Sequence, residues 1–552
     1  MKTCCFLFVL LIAALSPFAS YAEVSGVEIT SEEIYANGKS FDEVGQYRQI
    51  IGKIFFAIDP ENPRNRFITD LDKAPKNSNG MVEASADFMM RVPVNPQNGN
   101  GVAIIDIPNR GRIRSDRFNL DLDNPAEDGF LMKAGYTLLW IGWEEDIDSG
   151  IRAQLPQASD SGEPIAGLGF ALARDFGSWI RNSEDALVSA EYLMAFGISQ
   201  SGRFLRNFLY LGFNTDEAGR KVYDGIFAHV AGASRIDANR PGADVQNRGQ
   251  FNATSYPFAD EAHADPVSGL SEGLLANPPA SENTPKIFYT NGSNEYWGGG
   301  RVAALVHSTP DGSIDISLPD YVRYYFLTGS EHSPEVFPPE EPEEGQLPRN
   351  GLTYWYRMRA LLVSFTDWIT RDLEPLPSVY PSHAAGTLVD FREVNFPVIP
   401  GIHAPLAGLD AGYRIANPIL AGGAGAGAAL PLWVSQVNVD GNEISGIQAP
   451  ELLVPLATHT GWNFNNPAVG DPDILFRQIG SYIPFPLTRE QRLSSGDPRL
   501  SIEERYQDKS DYLEQITNAA SSLINLGYLL EADLELLTEQ ASVHWDSLMT
   551  SQ

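Results

Sequence analysis

Alternating apolar and polar residues in the first hundred positions predict antiparallel strands. The alternation runs through residues 46–57 and 82–94, and the Pro- and Asn-containing segment 59–63 separates the two stretches. A period of two residues is typical of strands with one buried face, and a Pro/Asn cluster is typical of a turn. Residues 23–100 are therefore predicted to be a β-rich segment that joins a larger sheet.

Further along the chain, short apolar runs without alternation predict buried strands. Such runs are expected when helices cover both faces of a parallel sheet. Segments with apolar residues at helical spacing, such as 165–180 and 352–371, occur among them. This order predicts an α/β fold with a mostly parallel central sheet. The runs are 101–107, 135–143, 192–198, 225–231, 286–290 and 322–327.

The same pattern divides the chain into a core and two additions. Residues 101–373 are predicted to form the α/β core. Within it, the polar, Gly- and Pro-rich segment 234–285 is interpreted as a lid, with a disordered surface excursion as the alternative. Residues 374–552 form a loop-rich C-terminal extension, in which the apolar spacing of 511–548 predicts a closing pair of helices.

The N-terminus has the features of a signal peptide. A positive residue, Lys2, precedes the apolar stretch 4–15, and Ser20-Tyr21-Ala22 provides the small residues of a cleavage site. We therefore expect cleavage after Ala22 and a secreted or periplasmic protein. Both cysteines of the chain fall within this segment. The mature protein would thus have no disulfide, no thiolate nucleophile and no Cys-bound metal.

Composition narrows the choice of partners. The 552 residues are 43% hydrophobic and carry a net charge of −32, which describes an acidic globular protein. Such a charge disfavours nucleic acid and anionic membranes, so neither a nucleic-acid partner nor membrane insertion is expected. The sequence contains no phosphate-binding loop, dinucleotide fingerprint or metal-ligand motif. We therefore expect no cofactor and no metal, and the oligomeric state stays open.

The chemistry is predicted to centre on Ser199. In Gly197-Ile198-Ser199-Gln200-Ser201-Gly202, an apolar strand runs into small residues and then an amphipathic segment. This is the strand–turn–helix pattern of a nucleophile elbow, although Gly usually stands where this chain has Ser201. The alternative is a serine that only caps the following helix.

A serine nucleophile needs a base and an acid that orients the base. In the α/β-hydrolase order both follow the serine, each after a strand. His332, on a Gly-containing turn after strand 322–327, is the preferred base, with His459 as second choice. Glu295, after strand 286–290, is the preferred acid, ahead of Asp311 and Asp315.

Backbone N–H groups would stabilise the oxyanion formed in an acyl transfer. The first expected donor is Gln200, the residue after the nucleophile. The second is Arg110 or Gly111, on the loop that follows strand 101–107. Each donor is worth about 3 kcal/mol in such reactions.

With these residues assembled, the chain resembles a bacterial family of large exported α/β-hydrolase-domain proteins over nearly its whole mature length. The likeness implies a hydrolase fold and little about substrate; members tend to carry Tyr at the position of His459. The elbow is also loosely similar to that of glucuronoyl esterases, in which a basic residue stands in place of Gln200. The motifs are Ile107-Pro108-Asn109-Arg110-Gly111, Gly135-Tyr136-Thr137, Gly142-Trp143, Gly197-Ile198-Ser199-Gln200-Ser201-Gly202-Arg203-Phe204, His229-Val230-Ala231-Gly232-Ala233, Asn294-Glu295-Tyr296-Trp297, Val454-Pro455-Leu456-Ala457 and Gly496-Asp497-Pro498-Arg499.

The function predicted from these residues is that of a cofactor-free serine esterase. Its triad is Ser199, His332 and Glu295, and its substrate is a small-molecule or carbohydrate ester outside the cytoplasm. Two alternatives stay open: a peptidase or amidase with the same triad, and a non-catalytic carbohydrate-binding protein on a hydrolase fold.

Overall fold

The structure, a computed structural model, describes residues 23–120, 128–239, 253–265, 267–276, 280–298, 301–335, 337–338, 344–406, 413–415 and 426–550. The signal peptide predicted over residues 1–22 lies outside the described residues, as do parts of the predicted lid. Among the helices of these ranges, none is long and apolar enough to cross a membrane.

The described residues form twenty strands and ten α-helices. The strands are β1 (Glu23–Ile34), β2 (Ser40–Phe41), β3 (Gly45–Ile58), β4 (Val82–Pro93), β5 (Val102–Asp106), β6 (Thr137–Ile141), β7 (Ala153–Gln154), β8 (Tyr192–Ile198), β9 (Gly225–His229), β10 (Ala253–Ser255), β11 (His263–Ala264), β12 (Ser271–Glu272), β13 (Lys286–Gly292), β14 (Val322–Leu327), β15 (Leu388–Asp390), β16 (Tyr413–Ile415), β17 (Ala426–Ala429), β18 (Trp433–Ser435), β19 (Ala457–His459) and β20 (Tyr482–Pro484). The helices are α1 (Phe130–Lys133), α2 (Leu168–Asn182), α3 (Gln200–Tyr210), α4 (Ser293–Trp297), α5 (Trp355–Arg371), α6 (Pro450–Leu453), α7 (Arg489–Ser495), α8 (Ile502–Arg505), α9 (Lys509–Leu526) and α10 (Leu534–Thr550).

One large sheet organises the fold. Its order is β1-β3-β4-β6-β5-β8-β9-β13-β14, with β2 beside β3 and β7 beside β4. Pairing is antiparallel from β1 to β6 and parallel from β6 to β14. The predicted α/β fold with a mostly parallel central sheet is confirmed, and the β-rich N-terminal strands join that same sheet.

Helices cover both faces of the parallel part of the sheet. Successive residues of a strand point to opposite faces, so Ile105 packs in the cluster that includes α2 and α3, whereas Ile104 packs in the cluster that includes α5. This two-sided burial explains why the parallel strands read as unbroken apolar runs.

Some side chains in the described part of the segment predicted as a lid are buried in the molecule. Tyr256 and Phe258 are buried in the main core, and Leu274 lies with them. Residues 267–271 are exposed by contrast, with Val267 at 58%. The lid and its alternative, a surface excursion, both stay predictions. The buried part lies against α3, because the Arg206 guanidinium donates a hydrogen bond to the Phe258 carbonyl.

Two predicted helices differ from the structure in their extent. The helix expected from residue 352 begins at Trp355. The helix expected over residues 165–180 spans Leu168–Asn182. In the C-terminal extension, α9 and α10 form the expected pair and share a hydrophobic cluster with Tyr356 of α5. This contact anchors the extension on α5 of the core.

Candidate active site

Ser199 lies on a strained turn between β8 and α3. Its φ of 58° and ψ of −108° are unusual for a residue with a side chain. The backbone is held there because the Ser199 N–H donates to the His229 carbonyl at 2.9 Å. Gly197 is required for close packing, since a Cβ there would lie 2.6 Å from the Ser201 carbonyl oxygen.

Ser201, the other serine of the elbow, has a structural environment. Its Oγ accepts from the Ile198 N–H at 2.9 Å and donates to the Ile198 carbonyl at 3.1 Å. Both bonds are local, and the side chain is fully buried. Ser201 therefore fixes the turn on which Ser199 is carried.

The structure brings Ser199, His332 and Glu295 into one hydrogen-bonded chain. His332 Nε2 lies 3.0 Å from Ser199 Oγ, and His332 Nδ1 lies 2.6 Å from Glu295 Oε1. A carboxylate accepts a hydrogen bond from Nδ1–H, which leaves Nε2 free to accept one from the serine hydroxyl. These are the distances that a serine–histidine–acid relay requires.

Backbone contacts hold the imidazole and the carboxylate in place. The His332 N–H donates to the Gln478 carbonyl at 3.1 Å, and the Tyr354 hydroxyl donates to the His332 carbonyl at 2.9 Å. Glu295 Oε2 accepts from the Gly292 N–H at 2.8 Å. The base is thus positioned by elements far apart in sequence.

Burial and nearby arginines shift the pKa values of His332 and Glu295. His332 is 3% exposed, and burial, followed by Arg301 and Arg203, holds its pKa well below the usual value. The imidazole is therefore neutral, as a general base must be. Burial raises the pKa of Glu295 to about 7, opposed by Arg301, whose Nη1 lies 3.7 Å from Glu295 Oε1.

The loop predicted to supply the second oxyanion donor lies against the elbow. Asn109 Nδ2 donates to the Ile198 carbonyl at 2.8 Å. The Arg110 N–H donates to Gln200 Oε1 at 3.1 Å, and Gly111 packs closely against Ser149 and Gly150. An oxyanion role for Arg110 stays a prediction. In that role, the Arg110 N–H would break its bond to Gln200 Oε1 and donate to the oxyanion instead.

The residues ranked second have other partners. His459 Nδ1 contacts Asn350 Oδ1 at 3.0 Å. Asp311 accepts from Thr309 Oγ1 at 2.6 Å, and Asp315 accepts the N–H groups of His383 and Ala384. None of these contacts involves Ser199, His332 or Glu295.

Sequence reasoning missed several residues that shape the site. Arg301 follows Glu295 by six positions after a glycine run, which was an available sequence signal. Glu144 directly follows Gly142-Trp143 and accepts from Gln200 Nε2 at 3.0 Å. Tyr354 carried no sequence signal. Across the described ranges, no group of three His, Cys, Asp or Glu side chains could hold a metal ion.

The parallel sheet flanked by helices, with a serine elbow at the carboxyl end of β8, defines an α/β-hydrolase fold. The sequence profile of the alpha/beta hydrolase domain family matches residues 69–539. The chain belongs to this family.

Solved structures with low similarity include three esterases. The rice cell wall degrading esterase LipA from Xanthomonas oryzae is 9% identical over 38% of this chain and 49% of its own, with a TM-score of 0.22. Acetyl xylan esterase 1 from Thermoanaerobacterium sp. JW/SL YS485 is 12% identical over 39% of this chain and 55% of its own, with a TM-score of 0.20. A glucuronoyl esterase from Solibacter usitatus is 13% identical over 55% of this chain and 80% of its own, with a TM-score of 0.26.

The chain thus spans about half the length (49%) of the Xanthomonas oryzae esterase. At these identities and TM-scores the similarity carries no argument about activity or substrate. No curated protein matches the chain.

Proposed function

We propose that the protein is a serine hydrolase that cleaves carboxylic esters. The observation that carries this proposal is the buried hydrogen-bonded chain from Ser199 through His332 to Glu295, with distances of 3.0 and 2.6 Å. A serine hydroxyl is a poor nucleophile near neutral pH, and a neutral imidazole oriented by a carboxylate is what activates it.

The proposed reaction has two halves. Ser199 Oγ attacks the ester carbonyl while His332 Nε2 takes the hydroxyl proton, and the alcohol leaves with that proton. Water then attacks the acyl-enzyme, and His332 takes a proton from the water. His332 gives this proton to Ser199 Oγ as the acid is released. In its ionised form, Glu295 stabilises the imidazolium in both halves. Gln200 and either Arg110 or Gly111 are the proposed backbone donors to the oxyanion.

The setting of the reaction is part of the same proposal. The leader predicted over residues 1–22 supports a site of action outside the cytoplasm, on a small-molecule or carbohydrate ester. We also propose that the reaction needs no cofactor and that the protein has no nucleic-acid partner.

A fluorophosphonate probe and short p-nitrophenyl esters test the proposed function. We expect the purified protein to be labelled and to hydrolyse the esters, and we expect Ser199→Ala to lose both activities. Ser201→Ala is the matched control, because Ser201 Oγ contacts only the turn, and it should keep the labelling.

Two results would contradict the proposal. Equal labelling of Ser199→Ala would exclude Ser199 as the nucleophile, and absence of both labelling and turnover would exclude a serine hydrolase. A p-nitroanilide with the same acyl group distinguishes an amidase. An esterase should turn it over far more slowly than the ester, since the amide leaving group needs stronger protonation.

A further inference from the structure

Four arginines follow β5 on one loop of an otherwise acidic protein. Arg110, Arg112, Arg114 and Arg117 fall within residues 110–117, which we call the arginine loop, whereas the chain as a whole carries a net charge of −32. The acidic residue within this loop, Asp116, pairs with Arg91 at 2.8 Å. The loop therefore brings excess positive charge to the edge of the sheet where Ser199 lies.

Arg112, Arg114 and Arg117 have no side-chain partner among the described residues, and Arg117 is the one of these three that lines the cavity described next. The Arg117 guanidinium is half-buried and makes neither an ion pair nor a side-chain hydrogen bond within the residues that the structure describes. Neighbouring Arg114 lies in the same crowded positive environment, and burial together with Arg117 and Arg112 lowers its pKa to about 10. Like charges this close together favour an anion between or beside them.

Arg117 lines a cavity of about 450 Å³ whose wall begins one residue after His332. Ser333 and Pro334, which follow His332 directly, form part of its wall. Trp355 forms another part and contacts the His229 ring, with 5.6 Å between ring centroids. His229 is the residue whose carbonyl holds the Ser199 N–H. The cavity wall thus includes direct neighbours of two residues that contact Ser199.

The acidic side chains that the described residues contribute to the cavity wall are already engaged. Asp128 is paired with Arg359, and Glu335 is paired with Arg349. Arg349 also holds the buried Glu331 at 2.8 Å. The charge on this wall that lacks a protein partner among the described residues is therefore that of Arg117.

The rest of the wall suits the uncharged body of a small substrate. It combines the aromatic faces of Trp355 and Tyr356 with the hydroxyl of Thr353. Leu536 and Gln540 of α10 close one side, so the C-terminal extension contributes to the cavity. Mostly apolar walls with a few polar groups are typical of small-molecule sites of this volume.

We propose that this cavity is the subsite for a carboxylate group carried by the ester substrate, and that Arg117 binds the carboxylate. A guanidinium matches a carboxylate with two parallel hydrogen bonds, which explains an arginine at this position. The inference rests on the proposed esterase function of Ser199. It narrows the substrate class to esters whose acyl or alcohol part is acidic.

Matched ester pairs test the subsite by kinetics. On the alcohol side, 3-carboxyphenyl acetate is compared with 3-carbamoylphenyl acetate; on the acyl side, mono-4-nitrophenyl adipate is compared with 4-nitrophenyl 5-carbamoylpentanoate. In one of the pairs, the ratio of kcat/KM for the carboxylate to that for the carboxamide should fall about tenfold in Arg117→Gln relative to the wild type. Comparing this ratio between proteins cancels the intrinsic reactivity of the esters.

Arg112→Gln is the matched control, because Arg112 belongs to the same loop but does not line this cavity. It should leave both ratios as in the wild type, and Arg117→Lys should retain part of the preference. Unchanged ratios for both pairs in Arg117→Gln would overturn the proposed subsite.

A binding measurement separates the subsite from the esterase function. Calorimetry with Ser199→Ala compares 3-acetamidobenzoate and adipate with their carboxamides. We expect tighter binding of a carboxylate, and loss of the difference in the double variant Ser199→Ala/Arg117→Gln. If no ester is hydrolysed but the carboxylates still bind preferentially, the proposed function fails and the subsite stands. If esters are hydrolysed but the carboxylates show no preference, the subsite fails and the function stands.

Discussion

The Arg110 N–H donates a hydrogen bond to Gln200 Oε1 at 3.1 Å, and Gln200 Nε2 donates to Glu144 Oε2 at 3.0 Å. The side chain that follows the candidate nucleophile thus connects the loops after β5 and β6. Gln200 is fully buried and Glu144 is 3% exposed, so these bonds are shielded from water. An amide is the side chain that can accept from the first loop and donate to the second.

Gln200→Glu should destabilise the protein. The change places a second carboxylate beside Glu144 in a buried position and removes the donor between them. We expect the free energy of unfolding in urea to fall by about 2 kcal/mol. The double variant Gln200→Glu/Glu144→Gln exchanges the two side-chain types and should recover most of the loss. A double variant no more stable than the single one would contradict a direct bond between the two residues.

Glu295→Gln should lower kcat strongly with little effect on folding. An amide can donate to His332 Nδ1, which stabilises the tautomer that cannot accept the Ser199 proton. We expect a loss on the order of 10⁴-fold in kcat. Glu331→Gln is the control, since Glu331 is a buried carboxylate next to His332 that contacts Arg349 and the Gly480 N–H instead. Its activity should fall by less than about tenfold. Equal losses in both variants would argue against an orienting role for Glu295.

Arg301→Gln should move the acid limb of the pH profile to higher pH. The positive charge of Arg301 lowers the pKa of both Glu295 and His332, and a proton on either group prevents His332 from acting as the base. Removing the charge raises both pKa values, so kcat/KM should begin to fall at a pH about one unit higher than in the wild type. Arg301→Lys keeps the charge and should keep the wild-type profile. An unchanged acid limb in Arg301→Gln would show that this charge does not act on the pair.

Ser199→Gly should make the protein inactive but more stable. Glycine adopts a φ of 58° with a ψ of −108° without the steric cost of a Cβ, so the turn would lose its strain. We expect a gain of about 1 kcal/mol in the free energy of unfolding. Ser199→Ala retains the Cβ and is the control that should not gain it. Equal gains in the two variants would assign the effect to loss of the hydroxyl rather than to backbone strain.

Chain order allowed the main features of the site to be predicted. The small residues around Ser199 and the apolar run before it indicated an elbow, and β8 followed by α3 has that arrangement. Glu295 and His332 were predicted because parallel strands place the loops at their carboxyl ends along one edge of the sheet. Their distances depend on side-chain rotamers and on packing, which no spacing along the chain specifies.

Contacts between distant segments could not be predicted in this way. The Tyr354 bond to the His332 carbonyl and the Gln200 bridge each depend on how separate loops pack. The same holds for the cavity beside His332, since Leu536 and Gln540 reach it from a helix about two hundred residues later in the chain.

The sequence by itself determined the order of strands and helices, the fold class and the three residues proposed as the triad. Hydrophobic periodicity and the short-range geometry of turns are local properties, so a single chain displays them directly. Only the tertiary structure decided which arginines surround His332, which acids are already paired and where the arginine loop meets a cavity. Those features arise from long-range packing and from the desolvation that packing causes, and both exist only once the chain has folded.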